Sequence, residues 1–455
     1  MAIAMKNRPL DDHGVYCISL GCAKNLVDTE HMLGLMQAGG CRLTETLDEA
    51  ETVVINTCGF IQEAVEEAIG TILEAARAKA LGTFRNLIVT GCFVQRYGYK
   101  LTREIPEVDA WVGTGEFHRI VDVVSALEAR EGPLFLIGPP RYQADHGVPR
   151  IRTTPFFSAY LKISEGCSHR CSYCCIPRLR GPLRSRSLDS LVLEAERMVA
   201  DGVREINLVG QDITAYGRDR LERGGLERLL RRLVKVDGLA WIRLMYCNPE
   251  GITDALLELI EGEEKICPYL DIPLQHVSPA VLRAMGRGGA GESPWELIGR
   301  IRSVKRGIAI RTTFMVGFPG ETEQDFENLL RFVKETSFDH LGVFSFSPES
   351  GTRAARIRAG IVRKKIAVER RRKVMQLQCR MAKKAKQGLI GSVFPVLIEG
   401  YCPETELLLS GRTSMMAPEV DGQVLITKGT GAEGVILPVT ITEAHPYDLV
   451  GEIVS

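Results

Sequence analysis

The run EGCSHRCSYC sets Cys167, Cys171 and Cys174 in a Cys-x-x-x-Cys-x-x-Cys spacing. Three thiolates on one short loop can hold three irons of a cubane iron–sulfur cluster. The fourth iron then lacks a protein ligand, which keeps a coordination position open for a small molecule, as catalytic metal sites do. The competing reading is a closed zinc site that recruits Cys175 or His169. A second set is dispersed. Cys22, Cys58 and Cys92 close SLGC, INTC and VTGC, each the end of an apolar run. In a parallel sheet such ends meet along one edge, where ligands bind. Spacing alone leaves open whether these three are ligands or buried core thiols, which are common.

The other cysteines (Cys17, Cys41, Cys247, Cys267, Cys379 and Cys402) show no ligand spacing and are expected to pack. Asp271 and His276, in DIPLQH, read as strand-end residues suited to proton transfer, substrate positioning or structural hydrogen bonding. The sequence carries no Ser–His–Asp arrangement and no phosphate-binding Walker loop.

The elements that position these residues follow from periodicity. Apolar runs at 15–22, 52–58 and 86–92 alternate with helical patterns at 25–38 and 60–79, which predicts a parallel sheet with covering helices. A stretch with weak periodicity at about 131–155 reads as a linker. Six further strands are expected at 159–164, 205–210, 241–246, 269–275, 310–318 and 340–347. Helices between them are expected near 187–200, 223–236, 251–262, 294–306 and 321–336, giving an open or partial α/β barrel. Right-handed crossovers place all strand C-termini on one rim. A basic helix at 363–386, with 11 Lys/Arg against Glu369, precedes short apolar runs broken by Gly and Pro from 388 on. Those runs predict a five-stranded all-β barrel. The expected domains are 12–130, 150–387 and 388–455.

With 455 residues the chain exceeds one ordinary core. Its 45% hydrophobic and 25% charged residues suit a globular protein. No stretch approaches the ~18 apolar residues of a membrane span, and MAIAMKNRPLDDHG lacks the apolar region of a secretory signal. A cytoplasmic enzyme is expected. The 13 cysteines, an odd and clustered set, point to metal or redox chemistry rather than disulfides.

The Cys167–Cys174 loop strongly resembles the radical S-adenosylmethionine superfamily. That resemblance implies an open iron chelated by the amino and carboxylate groups of S-adenosylmethionine, which is cleaved reductively to a 5′-deoxyadenosyl radical. It places Tyr173 near the adenine. It also makes LVGQD (208–212) and FMVGFPGETE (314–323) expected cofactor contacts, with Gln211 either a contact or a helix cap. SLGCAKNLVDTE (19–30) and NTCGFIQEA (56–64) are similar to motifs of the methylthiotransferase family over nearly the whole chain. This implies a second four-iron cluster on Cys22, Cys58 and Cys92 that supplies or carries sulfur, and a C-terminal TRAM barrel. S-adenosylmethionine would act both as methyl donor and as radical source, with an external electron donor.

Members of the family modify either a tRNA adenosine or the β-carbon of an aspartate in small-subunit ribosomal protein twelve. Residues 388–455 carry two basic and nine acidic residues, a net charge of −7. A tRNA-gripping domain should be basic, whereas an acidic one attracts a basic ribosomal protein; an acidic surface can also serve solubility alone. Glu404, Glu406, Glu419 and Asp421 are the acids expected to meet that partner. The first two motifs and YLDIPLQH also resemble the ribosomal-protein branch. The basic helix, net +10, is the counterweight: it suits contact with tRNA or ribosomal RNA, or a solvated linker.

Overall fold

The computed structural model describes residues 10–101, 103–128, 132–288 and 291–454. The first nine residues, part of the segment read for a signal, lie outside them, as do 129–131 and Ser455 at the expected domain edges. The described chain forms two compact units.

The first unit comprises the chain up to Thr153 together with Lys162–His169 and Cys174–Leu193. Its strands are β1 (Gly14–Ser19), β2 (Arg42–Leu43), β3 (Thr52–Thr57), β4 (Asn86–Gly91), β5 (Ala110–Val112) and β6 (Leu134–Leu136). They form one parallel sheet in the order β2-β1-β3-β4-β5-β6. Side chains alternate between two cores. Val54, Ile88 and Val112 pack with Met32, Met36 and Val123 of helices Ala23–Ala38 and Ile120–Leu127. Val53, Ile55, Leu87, Val89 and Trp111 pack with Val65, Ala68 and Ile72 of helix Gln62–Ala80. Burial on both faces is why these strands read as continuous apolar runs.

The expected linker is not one. Residues 134–136 are the edge strand β6, in register with β5 from Ala110↔Leu134 to Val112↔Leu136. Further on, Glu30, fully buried on the first helix, accepts from Arg150 Nη2 at 2.6 Å and from the Thr153 N–H at 2.7 Å. Strands of three residues are too short to show periodicity.

The second unit comprises Thr154–Leu161, Arg170–Tyr173 and the chain from Glu194 on. The strand β7 (Ser158–Lys162) is followed by β8 (Ser164–Glu165) and β9 (Arg184–Ser185), which pair with each other antiparallel in the first unit. Then come β10 (Glu205–Val209), β11 (Trp241–Leu244), β12 (Ile266–Gln275), β13 (Ala309–Val316) and β14 (His340–Ser345). The sheet order is β7-β10-β11-β12-β13-β14, parallel from β10 to β14 and not closed. This is the open α/β barrel expected from the strand–helix alternation.

Helix Lys364–Gln387 is not a solvated linker. Ala367, Arg370, Val374, Gln378, Ala382 and Lys386 recur every three or four residues and are buried, while its remaining basic residues are largely exposed. Beyond it, β15 (Val393–Cys402), β16 (Thr405–Thr413), β17 (Val424–Lys428), β18 (Ile436–Ala444) and β19 (Leu449–Ile453) close a five-stranded barrel around Val396, Ile426, Val439 and Ile441.

Candidate active site

Three neighbouring strands of the first sheet, β1, β3 and β4, each run into a cysteine. Cys22 caps the first helix, Cys58 follows Thr57, and Cys92 opens the short helix Cys92–Tyr97. The strand order changes direction between β1 and β3, the switch point where a parallel sheet opens a crevice at its carboxyl edge. Glycines let the turns close on one another. A Cβ at Gly21 (φ +94°) would lie 2.6 Å from Cys58 Cβ and 3.2 Å from its sulfur. A Cβ at Gly59 would lie 2.7 Å from Phe93 Cα, and one at Gly91 (φ +101°) 2.4 Å from the Thr57 carbonyl.

The three thiols feel one another. Burial pushes the Cys92 thiol up to about 12, with Cys58 and Cys22 adding to the rise and Arg180 opposing it. Burial likewise raises Cys58. Burial also opposes ionisation of Cys22, but Lys24, Arg180 and the N–H groups of Asn25 and Lys24 outweigh it and hold that thiol below its ordinary value. Among the described residues no three Cys, His, Asp or Glu side chains are gathered as ligands of a single ion. A cubane asks for something else: soft thiolates, one per iron, standing apart around the cluster. Three convergent cysteines suit that donor set.

Sequence reasoning missed a buried charged block beside Cys92. Arg180, 2% exposed, donates from Nε to Cys92 Sγ at 3.2 Å and from Nη2 to Asn25 Oδ1 at 2.9 Å. Its Nη1 bonds Asp28 and lies 3.4 Å from Glu165. Lys162 bonds Asp28 too, and Glu165 at 2.8 Å. One signal was available: Lys162 sits inside the apolar strand AYLKIS, and a lysine there needs buried partners.

The loop after β8 carries Cys167 and Cys174 within the same unit. The β8–β9 pair closes its base, with Glu165 opposite Arg184. The Cys167 N–H donates to the Gly181 carbonyl at 3.0 Å, and the Ile176 N–H approaches Cys174 Sγ at 3.4 Å. Gly166 (φ +78°) passes so close to Pro182 that a Cβ would meet its carbonyl oxygen at 2.2 Å. Cys175 is 3% exposed and packs with Cys92, Leu179 and Phe60. Cys171 and Tyr173 lie in the second unit, where Tyr173 packs against Val281, Met285, Phe318 and Ala354.

Elsewhere in the second unit, Gln211 stands two residues beyond β10, half-buried. Asp271 is not at a strand end: it lies in the middle of β12, accepts from the Tyr246 N–H at 3.1 Å and faces Arg311 Nε at 3.8 Å. His276 follows the end of β12, fully buried, with Nδ1 accepting from the Ser278 N–H at 3.0 Å and Nε2 3.7 Å from Glu321. In the β-barrel, Asp421 is not a surface acid. Its side chain is fully buried against Arg311 (2.7 Å), Tyr269 (2.8 Å) and His340 (3.1 Å).

An open parallel sheet introduced by a three-cysteine loop defines the class of radical S-adenosylmethionine proteins, and residues 161–333 match the Radical SAM superfamily. Residues 14–113 match Uncharacterized protein family UPF0004, and 390–454 match the TRAM domain. A radical S-adenosylmethionine methyltransferase, TsrM from Kitasatospora setae, solved with cobalamin and a [4Fe-4S] cluster, shares the fold: TM-score 0.55 at 16% identity, over 75% of this chain and 77% of that one. The sequence relatives are much nearer. Ribosomal protein uS12 methylthiotransferase RimO of Pelobacter propionicus is 49% identical over 439 residues, 96% of this chain and 97% of that protein. The protein of the same name from Geobacter sulfurreducens is 49% identical over 441 residues, 97% of this chain and 98% of that one. The chain belongs to the ribosomal protein uS12 methylthiotransferase RimO family.

Proposed function

We propose that the chain catalyses methylthiolation of the β-carbon of an aspartate in ribosomal protein uS12, with S-adenosylmethionine as methyl donor and radical source. Two [4Fe-4S] clusters serve it, one on Cys22, Cys58 and Cys92 and one on Cys167, Cys171 and Cys174. When bound, the second supplies the electron that cleaves S-adenosylmethionine, and the first supplies or carries the sulfur. The observation that carries this reading is the convergence of three strand-end cysteines at a switch point, in a chain that also holds a three-cysteine radical loop.

The chain's own residues bind and exclude. Tyr173, braced by Val281 and Met285, offers an aromatic face for adenine, and Gln211 stands where a strand-end contact to the same cofactor falls. Buried Asp28, Glu165, Lys162 and Arg180 form a charged block beside Cys92. The N-terminal sheet with its edge strand β6, the open barrel and the C-terminal barrel from 388 on divide the sulfur, radical and recognition tasks. The acidic barrel meets the basic ribosomal protein. The exposed basic face of 363–386 touches ribosomal RNA when the substrate is an assembled subunit. An electron donor is required, and the cytoplasm, where ribosomes are, is the place of action. No described helix is long and apolar enough to cross a membrane.

The test uses anaerobically reconstituted chain with S-adenosylmethionine, a chemical reductant, and either uS12 or tRNA. Mass spectrometry should find one methylthio group on an aspartate of uS12, and none on tRNA. A methylthio-adenosine in tRNA with unmodified uS12 would overturn the substrate. About eight irons per chain are expected, and about four after Cys167, Cys171 and Cys174 are all changed to Ala; an unchanged iron count would overturn the cluster assignment.

A further inference from the structure

Arg180 stands at a seam between the two cysteine sets. Its guanidinium donates to the sulfur of Cys92 at 3.2 Å. The next residue, Gly181, accepts from the N–H of Cys167 at 3.0 Å. The residue before it, Leu179, packs in one apolar cluster with Cys92 and Cys175. The guanidinium is also fully committed elsewhere. Asn25, which follows Cys22 on the first helix, takes Nη2, and Asp28, one turn further along that helix, takes Nη1 with Glu165 behind it. Lys162 balances the two carboxylates. The block is neutral as a whole, buried throughout and polarised: Nε of the cation faces the sulfur, and both acids lie on Nη1.

A structural salt bridge has no need of a thiol. Two carboxylates and an amide already occupy this guanidinium, yet its Nε–H is spent on Cys92. Hydrogen bonds to cluster sulfurs, local charge and burial are the means by which a protein sets an iron–sulfur potential. Reduction adds negative charge to the cluster and its thiolates. A buried N–H donor on a cation favours that added charge more than any donor exposed to water.

We propose that Arg180 is the positioning residue of the N-terminal cluster, holding the Cys92 ligand in place and poising that cluster at a higher reduction potential, with Asp28 tempering the effect. This rests on the assignment of Cys22, Cys58 and Cys92 as cluster ligands.

The experiment uses the full chain carrying Cys167→Ala, Cys171→Ala and Cys174→Ala, so that one cluster remains, reconstituted anaerobically and titrated with redox dyes under electron paramagnetic resonance. Failure of this background to bind about four irons would overturn the cluster assignment itself, and the inference with it. With the cluster present, Arg180→Gln and Arg180→Lys should each lower the reduced-to-oxidised ratio at a fixed potential, the former by tenfold or more, equal to about 59 mV for one electron. Asp28→Asn, which retains the Nε–H bond but removes a counter-charge, should move the potential the opposite way. Opposite shifts are something a merely structural role would not produce. Unchanged potentials, or shifts of the same sign in Arg180→Lys and Asp28→Asn, would overturn the proposal. Those two variants keep a cation or the guanidinium in the block, so they decide the matter even where Arg180→Gln does not fold.

Discussion

Gly21 shows how tightly one residue can be held by chemistry it does not perform. It adopts φ +94°, and the space a side chain would need is filled by Cys58. An alanine there costs about 1–2 kcal/mol for the left-handed backbone alone. It must also push Cys58 away from its neighbours. Gly21→Ala should therefore give a folded protein with about four irons rather than about eight, still able to form 5′-deoxyadenosine from S-adenosylmethionine. Iron and sulfide assays beside that cleavage assay check it; full iron content would show that Cys58 can move without losing its ligand role. Cys175 is the opposite case. A fourth cysteine directly after the radical loop invites a ligand reading, but its side chain is packed in the apolar cluster of Cys92, Leu179 and Phe60.

At the scale of elements, buried charges pin the β-barrel to the strands of the open sheet. Glu205, the first residue of β10, is fully buried and accepts from Arg412 of β16 at 2.6 Å and Arg243 of β11 at 2.8 Å. Burial alone would raise its carboxyl, but the two guanidiniums outweigh it and hold it far below the usual carboxylate range. A depressed folded pKa means the stabilisation is complete above the ordinary value of 4.5 and is lost as pH falls below it. Glu205→Gln should cost about 3–5 kcal/mol at neutral pH, since it leaves two buried cations facing an amide. The gap between wild type and variant should narrow as the pH drops below about 4.5. Urea unfolding at a series of pH values measures this, and a gap that stays constant would mean that Glu205 is not charged in the fold.

At the scale of the whole molecule, net charge zero conceals a division. The barrel from 388 on is acidic, and the helix before it is basic. Asp421 and Arg412, counted in the barrel's sequence charge, are buried in its anchoring contacts and cancel. The exposed acids Glu404, Glu406 and Glu419 remain. Changing those three to Lys should weaken uS12 binding, and the attraction they provide should fade with rising salt, since screening acts over about 8–10 Å at physiological strength. Cluster content and cleavage of S-adenosylmethionine should not change. Binding measured across a salt series checks this; tighter binding to uS12 after charge reversal would exclude the acidic face as its docking surface.

By itself the sequence determined the strand-end placement of Cys22, Cys58 and Cys92, the six-strand alternation and the C-terminal barrel. Strands buried on both faces must be apolar throughout, so a cysteine that closes such a run marks its end, and parallel order then brings the ends to one edge. The radical loop is local, so its spacing is its signature. What only the tertiary structure decided depends on partners far apart in the chain. Asp28 in KNLVDTE reads like the polar face of a solvated helix, and Arg180 like a loop cation, until folding places 152 residues' separation within one hydrogen bond. Strands β5 and β6 escaped notice because three residues hold no period. The sequence counts the Asp421 anion and the Arg412 cation like any surface charge, and burial alone separates an anchoring contact from a docking surface. The physical reason is common to all of these. Periodicity encodes which face of an element is apolar, whereas the pairing of buried charges depends on which elements become neighbours, and no local pattern records that.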